Sequence, residues 1–282
     1  MKILVTGGAG FVGSNLIKLL TEKGGYTIHS LDNYDSGLKE NEIEGCVYHT
    51  GDIESINLLD KDYDLIYHFA GLSRIQPSYK NPDETFRVNS IGTQRVCEFA
   101  RTIGAKVVYS GSSSRWHNQY LSPYACYKHI GEEICKMYKT AFKMDIEICR
   151  FYNVYGPKEV VNGDWAAVIG IWRRQIANGE PITIVGDGNQ RRDFTHVYDI
   201  VDGLYRVGMS NEKHEDAWEL GTGKNYSINE VYQMFKEKYG VDCVYLPQQN
   251  GNYQATLREN NDALDRLGWS PSDKLKQYID SL

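Results

Sequence analysis

No stretch of this sequence approaches the roughly 20 consecutive apolar residues that a membrane-spanning helix needs. The amino terminus, MKILVTGG, leads directly into an apolar strand without the pattern of a secretion signal. A cytoplasmic protein, with no membrane partner, is the expectation. Cysteine is sparse and scattered: Cys46, Cys97, Cys126, Cys135, Cys149 and Cys243 form no C-x-x-C pair and lie mostly in apolar stretches, so buried thiols are expected rather than a disulfide framework or a metal site. The 31 basic and 37 acidic residues leave a net charge of -6, and no run of lysine or arginine is long enough to follow a phosphate backbone. No nucleic-acid partner is expected. Internal repeats and low-complexity segments are also absent.

Short apolar runs alternate with longer segments of helical period. Lys2 to Thr6, Thr27 to Asp32, Asp64 to Ala70, Ala105 to Gly111 and Asp145 to Phe151 read as buried strands. Val12, Leu16, Leu19 and Leu20, and likewise Thr93, Val96, Ala100 and Ile103, recur at helical spacing. Strands alternating with helices imply crossovers, hence an α/β fold with a Rossmann-type, doubly wound parallel sheet. After Phe151 glycine, proline and polar loops interrupt shorter elements, as in YGPKEVVNGD and VGDGNQRRD. We expect a cofactor domain over residues 1–152 and a smaller α/β substrate lobe over 153–282, with a helix near 197–208 packing back on the first domain.

The first strand is followed at once by TGGAGFVGSNL. Gly8, Gly10 and Gly13 satisfy G-x-G-x-x-G, and Gly7, Gly10 and Gly13 satisfy G-x-x-G-x-x-G. Glycine lets the backbone approach a pyrophosphate, which the next helix attracts through its free N–H groups and dipole. Asp32 closes the second strand 19 residues after Gly13, where a carboxylate can bond ribose hydroxyls. It would repel the 2′-phosphate of NADP, and no arginine follows to compensate, so NAD is the expected cofactor. Gly51 to Ile53 and Phe69 to Gly71 end strands on the same sheet edge. Asp52 meets either the adenine amine or the start of the following helical segment, as a cap.

Further on, SGSSS (Ser110 to Ser114) ends a strand shortly before Tyr124 and Lys128, which stand four apart on one helix face. Serine, tyrosine and lysine beside a nicotinamide make a set suited to hydride transfer. Lowering a phenol by three pKa units takes ~4 kcal/mol, and an ammonium ~5 Å away at an effective dielectric near 20 contributes ~3 kcal/mol. Lys128 is therefore expected to supply most of the shift.

Taken together, GGAGFVG, Asp32, SSS, YACYK, RFYNVYGP, NGDWAAVI and GDGNQRRDF resemble the extended short-chain dehydrogenase/reductase family, over essentially the whole chain, and within it the UDP-hexose 4-epimerases. The resemblance implies Tyr124 as catalytic base, Lys128 as its partner and Ser112 as the hydroxyl on the substrate's 4-oxygen, with Ser113 as the alternative. It implies cofactor contacts from Gly7, Gly10, Phe11, Val12, Gly13, Asp32, Asn33, Asp52, Ile53, Phe69, Ala70, Gly71, Asn89, Tyr124, Lys128 and Tyr152. Substrate contacts are implied for Ser112, Ser113, Asn153, Val168, Ile169 and Arg192, the last on the pyrophosphate of a nucleotide-sugar, with a UDP-sugar favoured. Thr256 falls where the family controls room for a 2-N-acetyl group, although an ordinary surface threonine is an equal reading. A homodimer through the helices at about 82–103 and 124–142 is a further implication.

The outcome expected is NAD-dependent 4-epimerisation of a UDP-gluco/UDP-galacto pair or its N-acetylated analogue. A 4,6-dehydratase needs an Asp-Glu pair after the serine, and Ser112 through Pro123 contain no acidic residue. A 3,5-epimerase or 4-ketoreductase is the nearest rival, and a non-catalytic dinucleotide-binding regulator the rival of another class. Two features depart from the family pattern. Only eleven residues separate Ser112 from Tyr124, and Gln248 and Gln249 stand where a second phosphate-binding arginine is usual. Arg258 or Arg174 are candidates to replace it.

Overall fold

The computed structural model describes residues 1–282. Strand β1 (Lys2–Thr6) carries Ile3, Leu4 and Val5, all fully buried, because a central strand covered on both faces needs apolar side chains in both directions. Around it lie β2 (Thr27–Asp32), β3 (Cys46–Thr50), β4 (Leu65–His68), β5 (Lys106–Ser112) and β6 (Ile146–Phe151). With β10 (Trp218–Leu220) they form a seven-stranded sheet of order β10-β6-β5-β4-β1-β2-β3, parallel throughout. The strand order reverses between β1 and β4, and such a switch point opens a crevice at the carboxyl ends of the strands. Thr6, Asp32, His68 and Ser112 all end strands on that edge.

Helices cover both faces. On one, α1 (Phe11–Lys23) and α7 (Val197–Met209) enclose a core that includes Leu16, Ile17, Leu20, Val197, Ile200, Val201 and Leu204. On the other, α4 (Thr93–Ile103) contributes Val96, Cys97, Phe99 and Ala100, and α5 (Pro123–Ala141) contributes Cys135 and Tyr138. Helix α4 ends because Gly104 takes a left-handed conformation at φ +74°. Helix α5 begins where the Ser122 hydroxyl accepts from the Ala125 N–H, with Pro123 in its first turn.

The second hydrophobic centre is built from β7 (Asn153–Tyr155), α6 (Val168–Ala177), β8 (Ile182–Val185), β9 (Arg191–His196), β11 (Asn225–Ser227), α8 (Ile228–Tyr239), β12 (Cys243–Leu246) and the later α10 (Leu275–Ser281). Strands β11, β9 and β7 make one small sheet, and β12 and β8 another. The chain does not stay there once past residue 152. Helix α7, strand β10 and α9 (Asp262–Leu267), with Trp269 behind it, return to the main sheet. Between Ile75 and Gly92 run α2 (Ile75–Lys80), α3 (Pro82–Phe86) and a π-helical turn, Arg87–Gly92, that leads into α4.

Candidate active site

The turn after β1 makes a cradle. Gly7 sits at φ +74°, and a Cβ there would fall 2.8 Å from the Ala70 nitrogen, while one on Gly13 would fall 2.2 Å from the Gly7 carbonyl oxygen. A Cβ on Gly10 would meet only that oxygen, at 3.2 Å, and is otherwise unobstructed. Helix α1 starts at Gly10 with no side-chain cap, so its first N–H groups are free for an anion. Phe11 and Val12 pack behind them against the core. Asp32, 7% exposed, accepts from the Ala9 N–H through Oδ2 and from the Tyr34 N–H through Oδ1, both at 2.8 Å. A carboxylate has lone pairs to spare after two such bonds. Free amides, an open Gly10 and an acid at the end of β2 fit the pyrophosphate and adenosine ribose of NAD.

Other residues expected at the cofactor take mixed positions. Asp52 accepts from the Glu54 N–H and pairs with Arg87 through both oxygens, at 2.9 and 3.0 Å, so it is a cap and ion-pair partner here. Asn33 beside it is exposed, and Ile53 is in the core. The amide of Asn89 receives the Leu72 N–H and donates to the Leu72 carbonyl, which pins the chain leaving Phe69, Ala70 and Gly71. Its side chain thus acts on the shape of that wall. The Tyr152 hydroxyl is tied to the buried Glu219 at 3.0 Å.

Ser112 and Tyr124 come together: their hydroxyl oxygens are 3.2 Å apart. The Ser114 hydroxyl donates to the Ser112 oxygen at 2.9 Å, whereas Ser113 opens the short 3-10 turn after β5. Behind Ser112 stands a buried network that sequence reasoning missed. Glu132 accepts from the Ser112 N–H at 3.3 Å and is held by Arg150, whose guanidinium also grips Asp216 at 2.6 Å. Glu132 and Arg150 are 1% and 0% exposed, so the ion pair fixes the end of β5 against α5. The signal available was Arg150 inside a strand expected to be buried.

Lys128 differs from expectation. Its ammonium donates to the Ser110 carbonyl and lies 4.6 Å from the centre of the Tyr109 ring, with no hydrogen bond to Tyr124. Burial pulls its pKa down to about 8, against a smaller upward pull from Glu132. Nor is the phenol acidic in this state. Burial raises the Tyr124 pKa, countered in part by the Ser112 hydrogen bond and by the positive charge of Arg74. The expected depression by Lys128 is therefore corrected: desolvation dominates at both groups, and the positive charge that acts on Tyr124 is that of Arg74. Arg74, unnoticed in the sequence, donates to the carbonyls of Trp165 and Ser73 and forms no ion pair with a carboxylate.

On the second lobe, Asn153 and Thr256 meet, the amide donating to the Thr256 hydroxyl at 3.0 Å. Thr256 is only 6% exposed, which removes the surface-threonine reading. Val168 and Ile169 open α6, which has no side-chain cap; Ile169 is 1% exposed within the lobe's core, so its side chain is committed to packing. Arg192 is partly buried, donates to the Arg191 carbonyl and pairs with no acid; desolvation pulls its pKa down to about 10, which leaves it a cation at neutral pH. Arg258 has Nε and Nη1 buried without partners.

The sequence profile of the NAD-dependent epimerase/dehydratase family matches residues 3–221. The chain belongs to that family. A protein of Methanocaldococcus jannaschii, named provisionally as a UDP-glucose 4-epimerase, is 31% identical, over 98% of this chain and 95% of its own length. UDP-glucuronic acid decarboxylase 1 of Xenopus tropicalis is 30% identical, over 99% of this chain and 70% of its own. Among solved structures, UDP-glucose 4-epimerase of Thermotoga maritima, crystallised with UDP-glucose, superposes with a TM-score of 0.92 at 27% identity, covering 99% of this chain and 96% of its own. The protein is thus a nucleotide-sugar enzyme of the epimerase/dehydratase type with NAD as cofactor. No helix is long and apolar enough to cross a membrane.

Proposed function

We propose that this enzyme is a 4-epimerase of UDP-hexoses, interconverting UDP-glucose and UDP-galactose or their N-acetylated analogues through a 4-keto sugar. The observation that carries the proposal is the Ser112–Tyr124 hydroxyl pair at 3.2 Å, at the carboxyl edge of the sheet that also bears the glycine cradle. Bound NAD supplies a site that takes a hydride from the sugar's C4 and returns it. Tyr124 removes the proton of the 4-hydroxyl and later restores it, and Ser112 holds that oxygen. Burial raises the phenol's pKa, so Tyr124 would depend on positive charge nearby, from Arg74 and from oxidised NAD when bound, to ionise as it acts. Lys128, held on the Ser110 carbonyl, stabilises the same charge from behind. Arg192 and the uncapped start of α6 are suited to the pyrophosphate.

The segment from Ser112 to Pro123 offers no carboxylate for dehydration, which favours return of the hydride to the same carbon. A second reading, turnover of an acidic UDP-sugar, is favoured by Arg74, a cation beside Tyr124 with no carboxylate of its own, and by the decarboxylase relative. One NMR panel separates them: UDP-glucose, UDP-N-acetylglucosamine and UDP-glucuronic acid, each with the wild type and Tyr124→Phe. A 4-epimer from a neutral sugar, reduced at least a hundredfold in the variant, is the expected result. Carbon dioxide or an epimer from the acidic sugar alone would select the second reading, and full activity in the variant would exclude Tyr124 as base.

A further inference from the structure

The segment 250–256 bridges the two parts of the molecule. Its start is fixed on the cofactor domain, where Gln76 donates to the Asn250 carbonyl at 2.8 Å and Gly251, at φ +79°, lies against Ile75, Tyr79 and Leu121 so closely that a Cβ would fall 2.9 Å from Ile75. Its end is fixed on β9, where the Arg191 N–H donates to the Gln254 carbonyl at 2.8 Å and the Asp193 N–H to the Thr256 carbonyl at 3.1 Å. Between these anchors stands Tyr253, its ring stacked on His117 with centroids 4.0 Å apart and planes 12° from parallel. His117 belongs to the short stretch between Ser112 and Tyr124. The aromatic pair thus ties segment 250–256 to the short stretch between Ser112 and Tyr124.

The stack holds the Tyr253 ring, and its buried hydroxyl makes no well-formed hydrogen bond, with only the Ser114 and Ser122 hydroxyls close to it. Such an atom costs free energy unless something supplies a partner. Burial pushes the Tyr253 pKa up to about 12, so the group is a neutral phenol and can donate. Its surroundings are those of the reacting centre: the Tyr124, Ser114, Ser122 and Arg192 side chains are its polar and charged neighbours. Ser114 in turn donates to Ser112.

Building on the 4-epimerase reading, we propose that Tyr253 is a specificity-determining residue whose phenol donates to the 3-hydroxyl or the 6-hydroxyl of the bound sugar, the two hydroxyls that flank the reacting 4-position, with His117 holding its ring in place. It serves sugar recognition and not the nucleotide, whose phosphates fall to Arg192.

The test uses NAD-loaded wild type, Tyr253→Phe and His117→Ala. Tyr253→Phe keeps the stack and deletes the donor, so KM for UDP-glucose should rise about tenfold, while bound NAD and the Kd for UDP stay within about twofold. UDP-3-deoxyglucose and UDP-6-deoxyglucose then separate recognition from mere packing, because the penalty should vanish on the analogue lacking the partner oxygen and persist on the other. His117→Ala keeps the hydroxyl but frees the ring, and should raise KM on UDP-glucose by a smaller factor. An unchanged KM in Tyr253→Phe, or an equal penalty on both deoxy analogues, overturns the inference alone. A wild type that binds UDP but no UDP-hexose overturns it together with the 4-epimerase reading.

Discussion

Replacing Lys128 by methionine is expected to remove activity and, in protein freed of nucleotide, to change stability in a pH-dependent way whose sign is fixed by burial. Lys128 is 8% exposed, and burial lowers its pKa from 10.5 to about 8. At 1.36 kcal/mol per pKa unit, keeping it charged costs about 3 kcal/mol at neutral pH. Methionine escapes that cost but leaves the Ser110 carbonyl without its donor, which returns about 1–2 kcal/mol. Between pH 8 and 10.5 the unfolded chain binds more protons than the folded one, so wild-type stability contributed by this group rises with pH. The advantage of Lys128→Met is therefore full below pH 8 and should shrink by about 2 kcal/mol by roughly pH 9.5. Urea denaturation of both proteins at the two pH values measures it. A difference between variant and wild type that stays constant with pH, or grows in the variant's favour, would refute the claim that this lysine is held against its own desolvation.

Two further outcomes follow from the cradle and the surface. Gly13→Ala should yield folded protein stripped of NAD, since its Cβ would lie 2.2 Å from the Gly7 oxygen, and the ratio of absorbance at 260 and 280 nm reads the loss; a variant that purifies with full NAD contradicts the cradle. Phe86, Met137 and Phe142, on α3, α5 and the residue after it, are 39%, 46% and 50% exposed, so light scattering should give a dimer of the 32.2 kDa chain, and Met137→Glu should shift it toward monomer.

The parallel sheet was legible because buried strands advertise themselves. KILVT and TIHSLD coincide with β1 and β2, and the other three expected strands differ from β4, β5 and β6 by one or two residues at their ends. Strand β3 was missed: it is an edge strand with a largely solvent-facing pattern, CVYHT, and lacks a continuous apolar run. Strand β10 was missed because three residues are too short to show a period, and its return from the far side of the chain is a tertiary event. At the site, Gly7, Gly10 and Gly13 stood out by their spacing in the turn after β1, and Ser112 and Tyr124 by the short segment that joins β5 to α5. Arg74, Glu132 and Tyr253 were not, because each acts through a partner distant in sequence. The direction of the Tyr124 pKa also escaped a calculation by distance alone, which counted the attraction of Lys128 and left out the desolvation of both groups.

In the proposed reaction, one resident NAD and the Tyr124 hydroxyl invert a sugar carbon with no net redox change. Proton NMR of the purified enzyme with UDP-glucose and no added cofactor tests this most directly. The anomeric signal of UDP-galactose should grow to an equilibrium that is reached equally from UDP-galactose. No interconversion, or turnover only when reduced or oxidised nicotinamide is supplied in stoichiometric amounts, would contradict it.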